Sequence, residues 1–378
     1  MKKILYAVFF LVALLSVVFM FRQQMVPAIG HPSEGARLER LKAQPNFKDG
    51  RLRNDLPPDE SLSAVMNAIM GERAEATRPD EQLSFPAAQL PEKAGELAVT
   101  WLGHSTVILE LEGRRILFDP MWSLNASPVE GVGPARYLDP PIALGDVPKV
   151  DAVIISHDHY DHLDVDSVQH FAKAGVVFVV PIGIGAHLEA WGVPQKQIVE
   201  LGWWEEHLLE GLRIVCTPAR HFSGREVTDR FGTLWAGWAF VGKEHRVFFS
   251  GDTGMGPHFE EIGKRLGPFT LSMFEVGSYD PAWPDVHLGP EQALDAHRAS
   301  NGVYMLPVHW SAFVMGNHGW TEPAERLLVA ATPEDNLLLP KPGERVSLMS
   351  QNDKLPQERW WPQESWRTAE QAPIKSNF

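Results

Sequence analysis

The stretch Ser156-His157-Asp158-His159-Tyr160-Asp161-His162 follows directly on the segment 150–155, apolar except for Asp151. It concentrates three imidazoles and the Asp161 carboxylate in six residues, and no ordinary demand of folding requires that. A strand ending here would deliver His157 and His159 to one side of an extended segment. With Asp161 and His162 at the turn that follows, such a segment can feed two adjacent metal ions. The competing reading is a solvated His-rich loop or an accidental metal-binding tract. Further ligands elsewhere in the chain decide between the two.

Three more apolar segments end in a residue of the right type. His221 follows the strand-like 212–216 in Thr217-Pro218-Ala219-Arg220-His221. Asp252 follows 247–250 in Ser250-Gly251-Asp252-Thr253-Gly254, and His309 follows 303–306 in Leu306-Pro307-Val308-His309-Trp310. Strand ends are where a rigid sheet presents functional loops. Taken singly, a His after a strand is more often a satisfied or surface residue, and Asp252 among glycines is an ordinary turn residue. Taken with the cluster, they point to a metal site, since neutral imidazoles plus carboxylates suit zinc and related ions.

The surrounding pattern is that of an α/β layered domain. Segments 97–101, 106–111 and 115–118 read as strands, with Glu112-Gly113 as a hairpin turn. The segment 150–155, apolar except for Asp151, and the unbroken apolar run 176–180 suit strands buried on both faces. Val165, Val168, Phe171 and Ala172 mark a helical face closed by Gly175, and 184–191 a second short helix. Strands are expected over 212–216, 234–241, 246–249 and 303–306, and a helix over 290–300 with Pro290 in its first turn. Hairpins mixed with strand–helix units exclude a helical bundle or a pure β-barrel.

The chain has 378 residues, 44% apolar and 22% charged, enough for one large globular domain. A formal charge of −14 argues against a nucleic-acid partner, while leaving neutral, lipidic or small substrates open. The single cysteine, Cys216, rules out an intramolecular disulfide and a Cys-rich zinc cage. Lys2 and Lys3 precede the run 4–21, uncharged and apolar except for Ser16, which is followed by Arg22-Gln23-Gln24. That is a signal sequence or a membrane-spanning anchor with a cytoplasmic N-terminus and the body outside the cytoplasm. Val26-Pro27-Ala28 is a weak cleavage signal, and the uncleaved anchor is the reading adopted; cleavage would make the protein secreted. The expected organisation is 1–30 anchor or signal outside the fold, 31–95 Pro- and charge-rich extension, 96–350 catalytic domain and 351–378 Trp-containing tail. A short helix over 61–70 is the one element expected in the extension, otherwise a linker wrapping the core.

His157-x-His159-x-Asp161-His162, followed by His221, Asp252 and His309, resembles the metallo-β-lactamase superfamily of binuclear metallohydrolases. The resemblance covers about 97–348 and implies a four-layer αββα sandwich. Within it the chain looks most like N-acylphosphatidylethanolamine-hydrolysing phospholipase D. The phrases that carry this are Trp101-Leu102-Gly103-His104-Ser105, Phe118-Asp119-Pro120, Trp203-Trp204-Glu205, Thr233-Leu234-Trp235, Gly251-Asp252-Thr253-Gly254 and His287-Leu288-Gly289-Pro290-Glu291-Gln292-Ala293 through His297.

The resemblance implies two Zn²⁺, other divalent ions being possible. One takes His157, His159 and His221, the other Asp161, His162 and His309, with Asp252 as bridge. Two divalent charges roughly 3.5–4 Å apart need an anionic bridge, and a bridging water made hydroxide would be the nucleophile. Lactam-cleaving members generally lack a carboxylate bridge, so Asp252 tilts the chemistry away from β-lactams and towards a phosphodiester or a lactone. His287 matches a family position near substrate and is assigned to orienting or protonating it. His297 is a supporting or a purely structural residue, and His104 steadies the site rather than binding metal. Asp119 either accepts the outer N–H of a ligand histidine or caps a turn. Trp360, Trp361 and Trp366 either pack back on the domain or sit at a membrane interface.

The leading expectation is a membrane-anchored phospholipase D-like phosphodiesterase facing the periplasm. A lactonase or other ester hydrolase on the same site and a non-catalytic metal-stabilised envelope protein are the alternatives.

Overall fold

The computed structural model describes residues 23, 25–58, 74–226, 228–349 and 355–378. The extension contributes helix α1 (Gly35–Lys42) and a small hairpin of β1 (Phe47–Lys48) and β2 (Arg51–Leu52). Leu41 and Leu52 are buried with Ile182, Ala219, Phe231, Leu234 and Trp235. This part of the extension is thus seated on the body. The apolar run 4–21 and the helix expected over 61–70 lie outside the described residues.

Two mixed sheets form the body. One contains β3 (Leu97–Trp101), β4 (Val107–Leu111), β5 (Arg114–Phe118), β6 (Ala152–Ile154), β7 (Val177–Pro181), β8 (Ile198–Leu201) and β15 (Arg345–Ser347), in the order β15-β3-β4-β5-β6-β7-β8. Its β15 to β5 half is antiparallel and its β5 to β8 half parallel. The other contains β9 (Glu206–Leu209), β10 (Leu212–Thr217), β11 (Gly237–Val241), β12 (Arg246–Phe249), β13 (Phe269–Glu275) and β14 (Gly302–Val308), in the order β14-β13-β12-β11-β10-β9. Here β9 to β12 pair antiparallel and β12 to β14 parallel.

Strand alternation separates the core into two sides. Ile116 and Phe118 of β5 and Ile154 of β6 join Ile214, Phe240 and Phe249 of the other sheet between the sheets. Their neighbours Leu117 and Val153 point the opposite way, towards Val168 and Phe171 of α2 (Val165–Lys173). Asp164 caps α2 by accepting from the Ser167 amide. The short α3 (Gly185–Ala190) covers the same face through Leu188. On the far side, α4 (His258–Leu266) and α5 (Pro290–Ala299) bury Phe259, Ile262, Ala293 and Leu294 against the second sheet, and α6 (Glu322–Ala330) packs beside α5. The packing is therefore helix, sheet, sheet, helix. Each fully buried Leu, Ile or Phe contributes about 1.5–3 kcal/mol relative to exposure.

Several expectations are corrected. The strand expected over 150–155 is only Ala152–Ile154, so His157 and His159 stand on the irregular loop after it rather than on an extended strand. The segment expected as a strand from 234 begins at Gly237, because Leu234 and Trp235 turn aside to pack under the N-terminal extension. Residues 27–30, grouped with a segment outside the fold, are docked on it. Trp191 Nε1 donates to the Pro27 carbonyl (2.7 Å), Arg225 donates twice to the Ala28 carbonyl (2.9 and 2.7 Å), and Gly30 is buried. The tail returns to the domain. Trp361 is buried edge-on to Trp310, which stacks on Trp101 at 5.2 Å, and Ser376 and Asn377 hydrogen-bond Arg220. Among the described residues no helix is long and apolar enough to cross a membrane.

Candidate metal centre

All the proposed ligands gather at one edge of the sandwich. The loop after β6 brings His157 to His162, the loop after β10 His221, and the turns after β12 and β14 Asp252 and His309. Their ligating atoms form overlapping groups within 4.8 Å: His157, His159 and His221; His104, Asp161, His162 and His309; His157, His162 and Asp252; and Asp252, Glu275, His287 and His309. Asp252 joins the two halves. Its Oδ2 lies 3.2 and 3.1 Å from Nε2 of His162 and His309, and 3.7 and 3.8 Å from Nε2 of His157 and His221.

Surrounding acceptors set the imidazole tautomers. Asp119 Oδ2 sits 2.7 Å from His162 Nδ1, and the Val286 carbonyl accepts from His221 Nδ1 at 2.7 Å. Ser156 Oγ donates to Asp119 Oδ2 (2.6 Å), so it accepts from His157 Nδ1 at 2.9 Å. Each of these rings therefore turns an unprotonated Nε2 inward. Nitrogens face one another across the centre: His157 Nε2 and His159 Nδ1 at 2.8 Å, His221 Nε2 and His159 Nδ1 at 3.3 Å, His162 Nε2 and His309 Nε2 at 3.1 Å. Imidazole nitrogens that face one another this closely need a proton or a metal cation between them. The buried Asp252 Oδ1 also has no hydrogen-bond partner among the described protein groups. The donor set fits two divalent ions of borderline softness.

His104 and Asp119 support the centre as positioning groups. His104 Nε2 is 2.8 Å from Asp161 Oδ2. Burial, then the neighbouring His309, pulls the His104 pKa down to about 3, against the opposing pull of Asp161. A neutral ring donating to Asp161 follows. Asp119 orients His162 and Ser156 rather than merely capping a turn. His104, Asp119 and His309 all take left-handed backbone, with φ of 51°, 37° and 63°. Such conformations cost of order 1–3 kcal/mol each and persist where surroundings enforce them. Here His309 N donates to the His104 carbonyl (2.9 Å) and His104 N to the Trp310 carbonyl (3.2 Å), joining loops from the two sheets.

His287 is half-buried beside this centre, its ring stacked on His309 at 5.3 Å and its Nδ1 3.9 Å from Asp252 Oδ2. His297 is not in the site. Its Nδ1 meets Ser272 Oγ at 2.7 Å inside the α5–β13 interface, and burial lowers its pKa to about 4. The structural alternative for that residue is the one observed.

Two supporting residues escape a motif reading. Glu275, fully buried at the end of β13, puts Oε2 2.7 Å from His287 Nδ1 while Oε1 accepts from the Thr253 and Leu288 amides. A carboxylate closing the run Leu271-Ser272-Met273-Phe274 was its only signal. Asn54, in the extension, grips the backbone of His221 through both amide atoms, at 2.7 and 3.1 Å. Nothing local in the sequence marks it.

Residues 114–310, just over half of the chain, match the Beta-lactamase superfamily domain. The chain belongs to the metallo-β-lactamase superfamily. It is a metal-dependent hydrolase of that superfamily, and the resemblance read from its motifs holds. A Mycobacterium tuberculosis protein named only as uncharacterized is 46% identical over 316 residues, covering 80% of this chain and 84% of its own. An N-acyl-phosphatidylethanolamine-hydrolyzing phospholipase D of Caenorhabditis elegans is 36% identical over 244 residues, 61% of this chain and 68% of that protein. Among solved structures, the isothiocyanate hydrolase from Delia radicum gut bacteria superposes with a TM-score of 0.54 at 24% identity, over 66% of this chain and 98% of that one. That likeness speaks to the fold alone.

Proposed function

We propose that this metallo-β-lactamase superfamily member uses two zinc ions to hydrolyse a phosphodiester, the head-group bond of an N-acylphosphatidylethanolamine-type phospholipid. The observation that carries the reading is Asp252, whose Oδ2 is shared between the His157/His159/His221 and Asp161/His162/His309 halves. Two bound ions supply Lewis acidity and a water made nucleophilic near neutral pH. The protein's own groups do the rest. Asp119, Ser156 and the Val286 carbonyl hold the imidazoles in register, and His104 holds Asp161. His287, with its Nδ1 occupied by Glu275, has Nε2 left to meet a substrate oxygen and to orient or protonate it. The phospholipase D relative and the acidic composition support a lipid over a nucleic-acid diester.

The reading extends to location. The run 4–21 anchors the protein in a membrane with the catalytic domain on the periplasmic side, where its substrate is met in two dimensions.

The test is a product assay on N-acylated and ordinary phosphatidylethanolamine in mixed micelles. Water adds at phosphorus and the alcohol leaves, so phosphatidic acid should appear in equal amounts with N-acylethanolamine from the N-acylated lipid, or with ethanolamine from the ordinary one. Faster turnover of lactones or carboxylic esters than of any phosphodiester would overturn the reading.

A further inference from the structure

We infer that the loop 121–136 and Val314 form an apolar lip that seats the mouth of the metal centre on a lipid bilayer; the inference rests on reading the run 4–21 as a membrane segment. The loop is an ordered ribbon. Asn125 and Ala135 form a bridge, Ala126 N donates to the Pro134 carbonyl (3.0 Å), and Gly131 N donates to Asn125 Oδ1 (2.9 Å). Yet it exposes Leu124 at 59%, Val129 at 45% and Val132 at 58%. Val314, also exposed, stands beside them, because Arg136 bridges Phe313 while its amide donates to the Leu124 carbonyl. An ordered ribbon that turns its large apolar side chains outward signals a contact surface rather than fraying.

What covers this surface follows from where the chain comes from. After that run the chain is pinned at Pro27 by Trp191 and at Ala28 by Arg225. Pro27 and Ala28 line one cleft of about 600 Å³ with Leu124, Pro128 and Tyr160. The apolar run ends at Phe21, six Cα steps before Pro27. Six fully extended steps reach at most about 20 Å. A bilayer entered by that run therefore lies within about 20 Å of the pinned strap, on the side carrying the lip.

The lip is also coupled to the chemistry. Met121, Ala126, Ala312 and Phe313 form a small cluster against Tyr160, and the Phe313 ring meets His104 at 5.3 Å. His104 in turn holds Asp161. From lip to metal ligand there are two side chains. With Glu130 at the tip and a net charge of −14, insertion is by apolar side chains rather than attraction to anionic head groups. Neutral zwitterionic lipid should suffice.

The experiment uses the full chain in phosphatidylcholine vesicles, with a single environment-sensitive label at Val129→Cys, Val132→Cys or Leu208→Cys. Leu208 is exposed on β9, opposite Arg213 and far along β10 from His221. Cys216 is buried and stays unlabelled. Brominated lipid should quench the labels at 129 and 132 at least about twofold more than the label at 208. The double variant Val129→Asp/Val132→Asp should raise KM for a vesicle-borne diester about tenfold while leaving kcat/KM for soluble bis-p-nitrophenyl phosphate unchanged. Equal quenching at 129, 132 and 208 in protein that floats with the vesicles overturns the lip and leaves the anchor standing. Failure to float removes both. Selective quenching without any diester hydrolysis keeps the docking face and removes the proposed substrate.

Discussion

Glu275 Oε2 lies 2.7 Å from Nδ1 of His287, and its Oε1 accepts from the amides of Thr253 and Leu288. One buried carboxylate thus ties the turn bearing Asp252 to the loop bearing His287 and decides which imidazole nitrogen is free. Glu275→Gln preserves the shape and an oxygen for the two amides but offers an N–H₂ to His287. The expected result is a 10- to 100-fold fall in kcat with melting temperature and metal content near wild type. Steady-state kinetics beside metal analysis checks it; an unchanged kcat would reduce Glu275 to a loop tie.

Asp119 reaches the centre only through His162 and Ser156. Asp119→Ala should therefore lower metal affinity about 10- to 100-fold by freeing the His162 tautomer, rather than abolish binding. Competition with a chelator of known affinity measures this, and wild-type retention of metal would contradict it.

Asn54 comes from the extension but serves a ligand, its Nδ2 donating to the His221 carbonyl and its Oδ1 accepting from His221 N and Trp235 Nε1. Asn54→Ala strands buried backbone groups at about 1–3 kcal/mol each. Chemical denaturation should show a loss of that order, with weaker metal retention at the half of the site holding His221. A loss below about 0.5 kcal/mol would show that the loop relaxes around the gap.

Acid sensitivity has an identifiable contributor away from the metals. Glu110 of β4 is buried and takes Arg345 of β15 through both oxygens at 2.8 Å, together with the Gly95 amide. Burial alone would raise its pKa, but the Arg345 and Gly95 hydrogen bonds hold it below the usual value. A carboxylate with a depressed folded pKa stabilises fully above its unfolded pKa of about 4.3 and loses that contribution as pH falls through the folded value. Arg345→Ala should cost on the order of 3 kcal/mol at pH 7, and the gap to wild type should narrow below about pH 4. Urea melts at the two pH values test it; a constant gap would place the contribution in packing.

The fold and most of the centre were legible because both were local patterns. An apolar run followed at once by His157 to His162, and three more runs ending in His221, Asp252 and His309, report strand ends and ligands together. What was hidden depends on long-range pairing. β13 was missed because Thr270 and Ser272 interrupt its apolar run, yet Ser272 is buried against His297, so its polarity was not a sign of exposure. Glu275 went with it. Asn54 meets His221 across 167 residues, and Arg220 gathers the carbonyls of Leu56 and Pro57 with Ser376 and Asn377. Residues 27–30 read as the end of an apolar leader because nothing in their composition announces Trp191 and Arg225 as partners.

The central claim is a two-metal centre joined through Asp252, and metal content measured alongside activity tests it most directly. Purified wild-type protein should carry about two divalent ions per chain, and hydrolysis of bis-p-nitrophenyl phosphate by stripped protein should rise with the second equivalent rather than saturate at the first. Asp252→Ala should hold fewer ions and lose that hydrolysis while keeping its fold by circular dichroism. Full activity at one ion per chain, or in Asp252→Ala, would contradict the account.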